Sequence, residues 1–105
     1  MAPNTVHRQT DALYESILAL DTLEDCKQFF HDLCSPSELR AMEQRFEVAC
    51  LLQAGTSYME ILEKTGASSA TISRVRRSML DNGAGGVMQQ VIHREWNPTG
   101  KQEEE

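Results

Sequence analysis

Apolar residues recur every three or four positions along most of the chain, which is the spacing of one face of an α-helix. Two such stripes occupy the first third, in TDALYESILALD and TLEDCKQFFHDLC. Thr22 is the expected N-cap of the second helix, which is expected to bury Leu23, Cys26, Phe30 and Leu33. No segment has the strict alternation of apolar and polar residues that is typical of a β-strand. The pattern therefore predicts an all-α protein that begins with two amphipathic helices.

A longer helix is expected to follow Ser35. Ser35 lies at the N-cap position and Pro36 at the first helical position, where its missing N–H costs nothing. Glu38, three residues after the cap, completes a capping box. Gly55 can adopt the left-handed conformation that ends a helix. The expected apolar stripe of this helix consists of Leu39, Met42, Phe46, Ala49 and Leu52.

Two short helices are predicted next, separated by a three-residue turn that contains glycine. Ser57 and Glu60 repeat the helix-start signal, Gly66 ends that helix, and Ser68 caps the next one. The apolar residues expected to hold the two helices together are Ile61, Leu62, Ile72 and Val75. This arrangement is typical of a helix-turn-helix, whose second helix enters the DNA major groove.

The distribution of charge supports that interpretation. The chain of 105 residues has a net charge of −6, but residues 35–80 carry +1, against −4 in 1–34 and −3 in 81–105. A local basic surface on an acidic protein suits a polyanion such as double-stranded DNA. In such a complex, small residues can approach the bases, and arginines can contact phosphates or guanine. The predicted DNA-binding residues are Lys64, Ser68, Ser69, Ala70, Thr71, Ser73, Arg74, Arg76 and Arg77.

The residues leave a second function open, because arginines can also form an ordinary solvated helix face. The alternative is a helical protein-interaction module that does not bind DNA, and the acidic total charge leaves this alternative open. An enzyme is not expected, since no nucleophile, base and orienting group share a region of the sequence. Cys26, Cys34 and Cys50 lack metal-ligand spacing, so we expect reduced thiols, no metal and no cofactor.

The protein is expected to be cytoplasmic and to have no membrane partner. No apolar run approaches the length of a membrane span, and the N-terminal segment MAPNTVHRQTD lacks the apolar core of a signal peptide. A chain of this size buries only part of its surface, so oligomerisation is expected. We predict a single domain with N-terminal dimerisation helices in 1–34, the long helix and helix-turn-helix (57–80) in 35–80, and a short C-terminal helix with a disordered acidic tail in 81–105. In the C-terminal helix, Val87, Val91 and Ile92 are expected to face inward.

Residues 35–80 resemble the tryptophan repressor family. The similarity comprises the serine, proline and acid before the long helix, the arginine within it, and the GASSATISR segment that leads into the second short helix. The resemblance implies an intertwined all-α homodimer with two helix-turn-helix heads on one side, which bind a pseudo-palindromic operator as a transcriptional regulator. It also implies that Ser69, Ala70 and Ser73 face the groove.

The family's corepressor pocket carries over in part. The matching positions are Ser35, Arg45, Arg74 and Ser78. The residue after the second arginine is glycine in the tryptophan repressor and Val75 here. Its isopropyl group is expected to obstruct an indole ring, so tryptophan is not the expected effector, and a smaller anion is left as an alternative. An alternative for Arg45 is a surface ion pair with Glu43 or Glu47.

Overall fold

A computed structural model of the protein describes residues 11–81 and 86–96. Within those ranges the chain forms six helices and no strand, which confirms the all-α prediction. Helix α1 occupies 11–18, and the others are α2 (Leu23–Leu33), α3 (Pro36–Gln53), α4 (Tyr58–Thr65), α5 (Ser69–Asp81) and α6 (Val87–Glu95). No helix in this part of the chain is long and apolar enough to cross a membrane.

The helices begin where the local signals predict. Thr22 caps α2, its Oγ1 accepting a hydrogen bond of 3.0 Å from the backbone N–H of Asp25. At the start of α3, the Glu38 N–H donates to Ser35 Oγ at 3.2 Å, and the Ser35 N–H donates to Glu38 Oε1 at 2.8 Å. These two reciprocal bonds are the predicted capping box, and they satisfy backbone N–H groups that the helix leaves without partners.

The chain divides into two units, Met1–Leu39 and Arg40–Glu105. In the first unit, none of the described side chains is buried. Cys26 and Phe30 are half-buried, but Leu23 and Leu33 are 71% and 55% exposed. The expectation that α2 buries Leu23 and Leu33 is therefore wrong for a single chain, because nothing within the described part of this unit covers them.

Among its described residues, the second unit has a core of nine side chains from α3, α4, α5, α6 and the turn after α4. They are Val48, Ala49, Cys50, Ile61, Ala67, Ile72, Val75, Met79 and Ile92. The expected anchors Ile61, Ile72 and Val75 are all buried, and Leu62 packs against the core. The prediction that these side chains hold the two short helices together is confirmed.

The expected apolar stripe of α3 is only partly correct. Ala49 is buried and Leu52 packs against the core, but Met42 and Phe46 are exposed. The helix turns Val48 and Ala49 toward the core, and at 100° per residue Met42 and Phe46 lie roughly a quarter of a turn away from the centre of that face. The apolar stripe predicted from sequence spacing therefore overlaps only in part with the face of α3 that packs against the core.

The short C-terminal helix α6 also departs in part from expectation. Ile92 is buried and Val91 is half-buried, as predicted, but Val87 is 75% exposed at the first residue of the helix. The side chain of Gln53 in α3 helps to hold α6, since its Nε2 donates to the backbone carbonyl of Gln89 at 2.9 Å. The predicted disordered tail lies outside the described residues.

Candidate nucleic-acid interface

A left-handed glycine joins α4 to α5. Gly66 has φ of +70°, a conformation that side chains rarely tolerate, and its N–H donates to the carbonyl of Leu62 at 3.0 Å. One residue earlier, Thr65 Oγ1 donates to the carbonyl of Ile61 at 2.8 Å and accepts from the Ala67 N–H at 3.0 Å. Ala67 is itself buried. The turn predicted at Gly66 is therefore a reversal in which the Gly66 and Ala67 N–H groups are both hydrogen-bonded.

Two of the predicted DNA-binding residues are used to start α5. Ser68 Oγ accepts from the Thr71 N–H at 3.1 Å and donates to Thr71 Oγ1, also at 3.1 Å. Ser68 is the N-cap that the sequence predicted, and Thr71 is half-buried beside it. The hydroxyl groups of Ser68 and Thr71 are thus hydrogen-bonded within the N-terminal cap of α5. Ser69 and Ser73 do not take part in this cap.

The outer surface of α5 combines small residues and arginines. Ser69, Ala70 and Ser73 are exposed in its first half. Arg74, Arg76 and Arg77 are exposed in its second half, while the opposite face of the helix is buried through Ile72, Val75 and Met79. We call the six exposed residues 69, 70, 73, 74, 76 and 77 the α5 surface.

The α5 surface carries uncompensated positive charge. The helix contains no acidic residue before Asp81, and within the described ranges none of its three arginines forms an ion pair. Lys64, on α4, differs because its Nζ lies 3.8 Å from Glu60 Oε2 with both side chains more than half exposed. A pair of this kind is worth only about 0.3–0.5 kcal/mol, so a polyanion could displace it at small cost.

A cleft of about 410 Å³ lies between α3, α5 and α6. Its lining residues are Met42, Arg45, Phe46, Arg74, Val75, Ser78 and Met88. It brings together three of the predicted effector residues, Arg45, Arg74 and Ser78, and includes Val75 in its wall. In the described part of the chain Arg45 makes no ion pair with an acid, so the alternative pairing is not found. Ser35 belongs to the first unit, where it caps α3.

The cysteines form no site in this structure. All three are free thiols, and Cys50 is buried. Burial raises the pKa of the Cys50 thiol, and the nearby Glu47 carboxylate adds to the effect, which disfavours the thiolate form. No group of three or more histidine, cysteine and acidic side chains that could hold a metal ion occurs among the residues that are described.

The sequence did not indicate one side chain that contacts the turn. Gln44 in α3 donates from Nε2 to the backbone carbonyl of Thr65 at 3.1 Å. The two residues are 21 positions apart, and nothing in the spacing of apolar or charged residues marks Gln44. A side-chain contact with a distant backbone carbonyl leaves no local pattern, so only the tertiary structure reveals it.

Comparison with known proteins gives a consistent result. The model of the family described as Trp repressor protein matches residues 8–95. The Bacillus subtilis (strain 168) protein YerC, which is uncharacterized, is 49% identical over 72 residues, covering 69% of each chain.

Two solved structures are also similar. A proposed Trp repressor from Staphylococcus aureus has a TM-score of 0.77 at 38% identity, covering 83% of this chain and 85% of its own. A TrpR-like protein from Eubacterium eligens has a TM-score of 0.74 at 41% identity, covering 83% and 88%. The predicted Trp repressor-like fold is confirmed by these two structures.

Proposed function

The chain belongs to the Trp repressor protein family, and on that premise we propose that it is a homodimeric transcriptional regulator that binds a pseudo-palindromic operator in double-stranded DNA. The α5 surface is the observation that carries the proposal. It is exposed, free of acidic side chains, and follows a tight glycine turn from α4. This combination is what a recognition helix needs to approach a polyanion and reach its bases.

The first half of the α5 surface is suited to the major groove. Ser69, Ala70 and Ser73 are short, so the helix can approach base edges closely, and the two hydroxyls can donate or accept hydrogen bonds there. The N-terminus of a helix also carries a partial positive charge that favours nearby phosphates. We therefore assign these three residues to the groove and assign Ser68 and Thr71 to the helix start.

The second half of the α5 surface is suited to phosphates. Arg74, Arg76 and Arg77 have no acidic partner within the described ranges, so DNA binding would not first require an ion pair to break. Lys64 would exchange its weak exposed pair with Glu60 for a phosphate. These four cations per chain supply the sequence-independent part of the affinity, and each one that contacts DNA adds to its salt dependence.

Two copies of the chain are part of the proposal because of the first unit. Leu18, Leu23 and Leu33 are each more than half exposed there, and a second chain would remove this apolar surface from water. A two-fold dimer then presents two α5 surfaces to two half-sites about one helical turn apart. The family assignment supports the same arrangement.

The test measures how duplex affinity depends on salt. The probe is a random-sequence duplex about three helical turns long, because non-specific binding reports directly on phosphate neutralisation. Replacing Arg76 and Arg77 together by alanine should flatten the plot of log affinity against log salt by up to about 0.9 for each phosphate that the variant no longer neutralises. Arg94→Ala is the control, since Arg94 lies on α6 and already pairs with Glu95 at 3.5 Å.

Three results are informative. A flatter slope in the double variant with an unchanged slope in Arg94→Ala supports the proposal. An unchanged slope in both variants, or no duplex binding by the wild-type chain at low salt, contradicts it. Either of those results favours the helical protein-interaction module instead.

A further inference from the structure

The long helix α3 contacts the helix-turn-helix through a polar side chain as well as through the apolar core. Gln44 is half-buried, and its Nε2 donates to the Thr65 carbonyl at 3.1 Å. Thr65 is the last residue of α4, so its carbonyl is among those that the helix itself cannot satisfy. A half-buried carbonyl without a partner would destabilise the turn, and Gln44 prevents this.

Thr65 extends the contact to the start of α5. Its hydroxyl donates to the Ile61 carbonyl at 2.8 Å and accepts from the Ala67 N–H at 3.0 Å. The side chains of Gln44 and Thr65 thus hold backbone groups on both sides of Gly66, the residue at which the chain reverses. These hydrogen bonds therefore restrain the backbone on its way from α4 into α5, and the first of them comes from α3.

Hydrogen bonds and apolar contacts restrain the helices differently. The packing of Ile61 and Ile72 in the core holds α4 and α5 in place, but hydrophobic attraction has no direction. A hydrogen bond weakens steeply as its angle departs from linear, so it restrains orientation as well as distance. The bond from Gln44 to Thr65 therefore supplies a directional restraint that the apolar contacts do not.

We propose that Gln44 is a positioning residue that holds α5 at a defined angle to α3, an inference that rests on the proposed function. Gln44 does not contact DNA; it acts through Thr65 and the turn. In a dimer bound to two half-sites, the angle of each α5 decides whether both α5 surfaces meet their grooves together. Gln44 thereby contributes to discrimination between an operator and other DNA, and to the spacing tolerated between half-sites.

The first measurement is hydrogen exchange of the Ala67 amide in the DNA-free protein. Gln44→Met keeps the length and helix preference of the side chain but removes its donor. Losing one net hydrogen bond should speed exchange at Ala67 by about fivefold. Gln53→Met is the matched control, because it removes a bond of the same kind from the same helix to the carbonyl of Gln89 in α6. Exchange at Ala67 should match wild type in that control.

The second measurement compares affinities for two duplexes. One is selected from a random pool by the wild-type protein, and the other is a random sequence of the same length. In Gln44→Met the ratio of selected to random affinity should fall about fivefold, while the salt slope on random DNA stays unchanged. The variant should also lose less affinity than wild type when one base pair is inserted between the half-sites. Gln53→Met should behave as wild type in both respects.

A second variant protects the test against misfolding. In Gln44→Glu the side chain has nearly the same shape but a carboxylate has no proton to donate. Its added negative charge lowers affinity for both duplexes alike, so the ratio remains the measurement. Faster exchange at Ala67 together with a lower ratio in a folded variant supports the inference.

Other outcomes overturn the inference. Unchanged exchange at Ala67 in the Gln44 variants means that the bond does not restrain the turn. Faster exchange with an unchanged affinity ratio and unchanged spacing tolerance means that the restraint does not position α5 for recognition. A wild-type chain that binds no duplex overturns the proposed function, and this inference with it; that failure is distinguishable because it appears without any substitution.

Discussion

The two units of the chain share one type of sequence pattern but differ in what they bury. Apolar residues at helical spacing occur in both. In the second unit they form a core that includes Ile61, Ile72 and Ile92, each no more than 2% exposed. In the first unit no described side chain is buried, and Leu18 is 85% exposed. Periodicity thus predicts which face of a helix is apolar, but it does not predict whether another part of the same chain covers that face.

The difference has a thermodynamic consequence. The second unit buries an apolar core within one chain, whereas the first unit exposes apolar surface without burying any described side chain. If a second copy covers that surface, as proposed, the stability of the first unit depends on protein concentration. Mutations in the two units should then differ in what they change: folding of the chain in the second unit, and association in the first.

The largest effect is expected in the core of the second unit. Ile72→Ala should lower the free energy of unfolding by about 2–5 kcal/mol, because it removes buried methyl groups and leaves a cavity. Leu80→Ala in the same helix, at a residue that is 68% exposed, should change it by no more than about 0.5 kcal/mol. Urea unfolding at one fixed protein concentration measures both. Equal decreases would mean that this core does not determine stability.

A smaller effect is expected in the first unit, and it should appear in association. Wild-type protein at micromolar concentration should sediment at about twice the mass of one chain. Phe30→Asp should raise the dimer dissociation constant by up to about 10- to 100-fold, since full burial of a phenylalanine is worth about 1.5–3 kcal/mol and Phe30 is only half-buried within one chain.

Met59→Asp provides the control for that substitution. Met59 is also an exposed apolar residue, at 65%, but it lies on α4, outside the unit proposed to form the dimer contact, so a charge there should leave the sedimented mass unchanged. A compact wild-type monomer would contradict the proposed dimer. It would also remove the reason to expect a pseudo-palindromic operator, because one chain has one α5 surface.

The features that were predicted correctly depend on residues close together in the sequence. Ser35 and Glu38 are three positions apart, and their capping box forms as expected. Gly66 ends α4 in the left-handed conformation because glycine alone adopts it without strain. The α5 surface was also predictable, since helical spacing places its small residues and arginines opposite Ile72 and Val75.

The errors and omissions depend on distant contacts. Met42 and Phe46 were expected to belong to the buried stripe of α3, but the face that packs on α4 and α5 is centred on Val48 and Ala49. Gln44 was missed because its partner Thr65 is far away in the sequence. Which side of an apolar helix is covered, and which polar side chain reaches a distant carbonyl, are decided by tertiary packing.

The smallest expected effect is on the pKa of Glu38 in the capping box at the end of the first unit. This pKa depends on contacts within one helix start, so it tests local structure independently of dimerisation. Hydrogen bonds from the backbone N–H and the hydroxyl of Ser35 hold the pKa of Glu38 below its ordinary value of 4.5. Because the folded-state pKa is lowered, the stabilisation is fully present above pH 4.5 and is lost as the pH falls through the lowered pKa.

Glu38 is fully exposed, so its titration is best followed by NMR through the Ser35 amide shift rather than through global stability. The wild-type midpoint should lie below 4.5, and Ser35→Ala should move it back toward that value by removing one donor. A wild-type midpoint at the ordinary value would contradict the capping box. Since Ser35 and Glu38 lie within one helix start, the titration midpoint of Glu38 should stay constant when the protein is diluted. The midpoint of unfolding of a dimer, in contrast, falls on dilution. A Glu38 midpoint that shifts with protein concentration would instead mean that the helix start itself depends on the second chain.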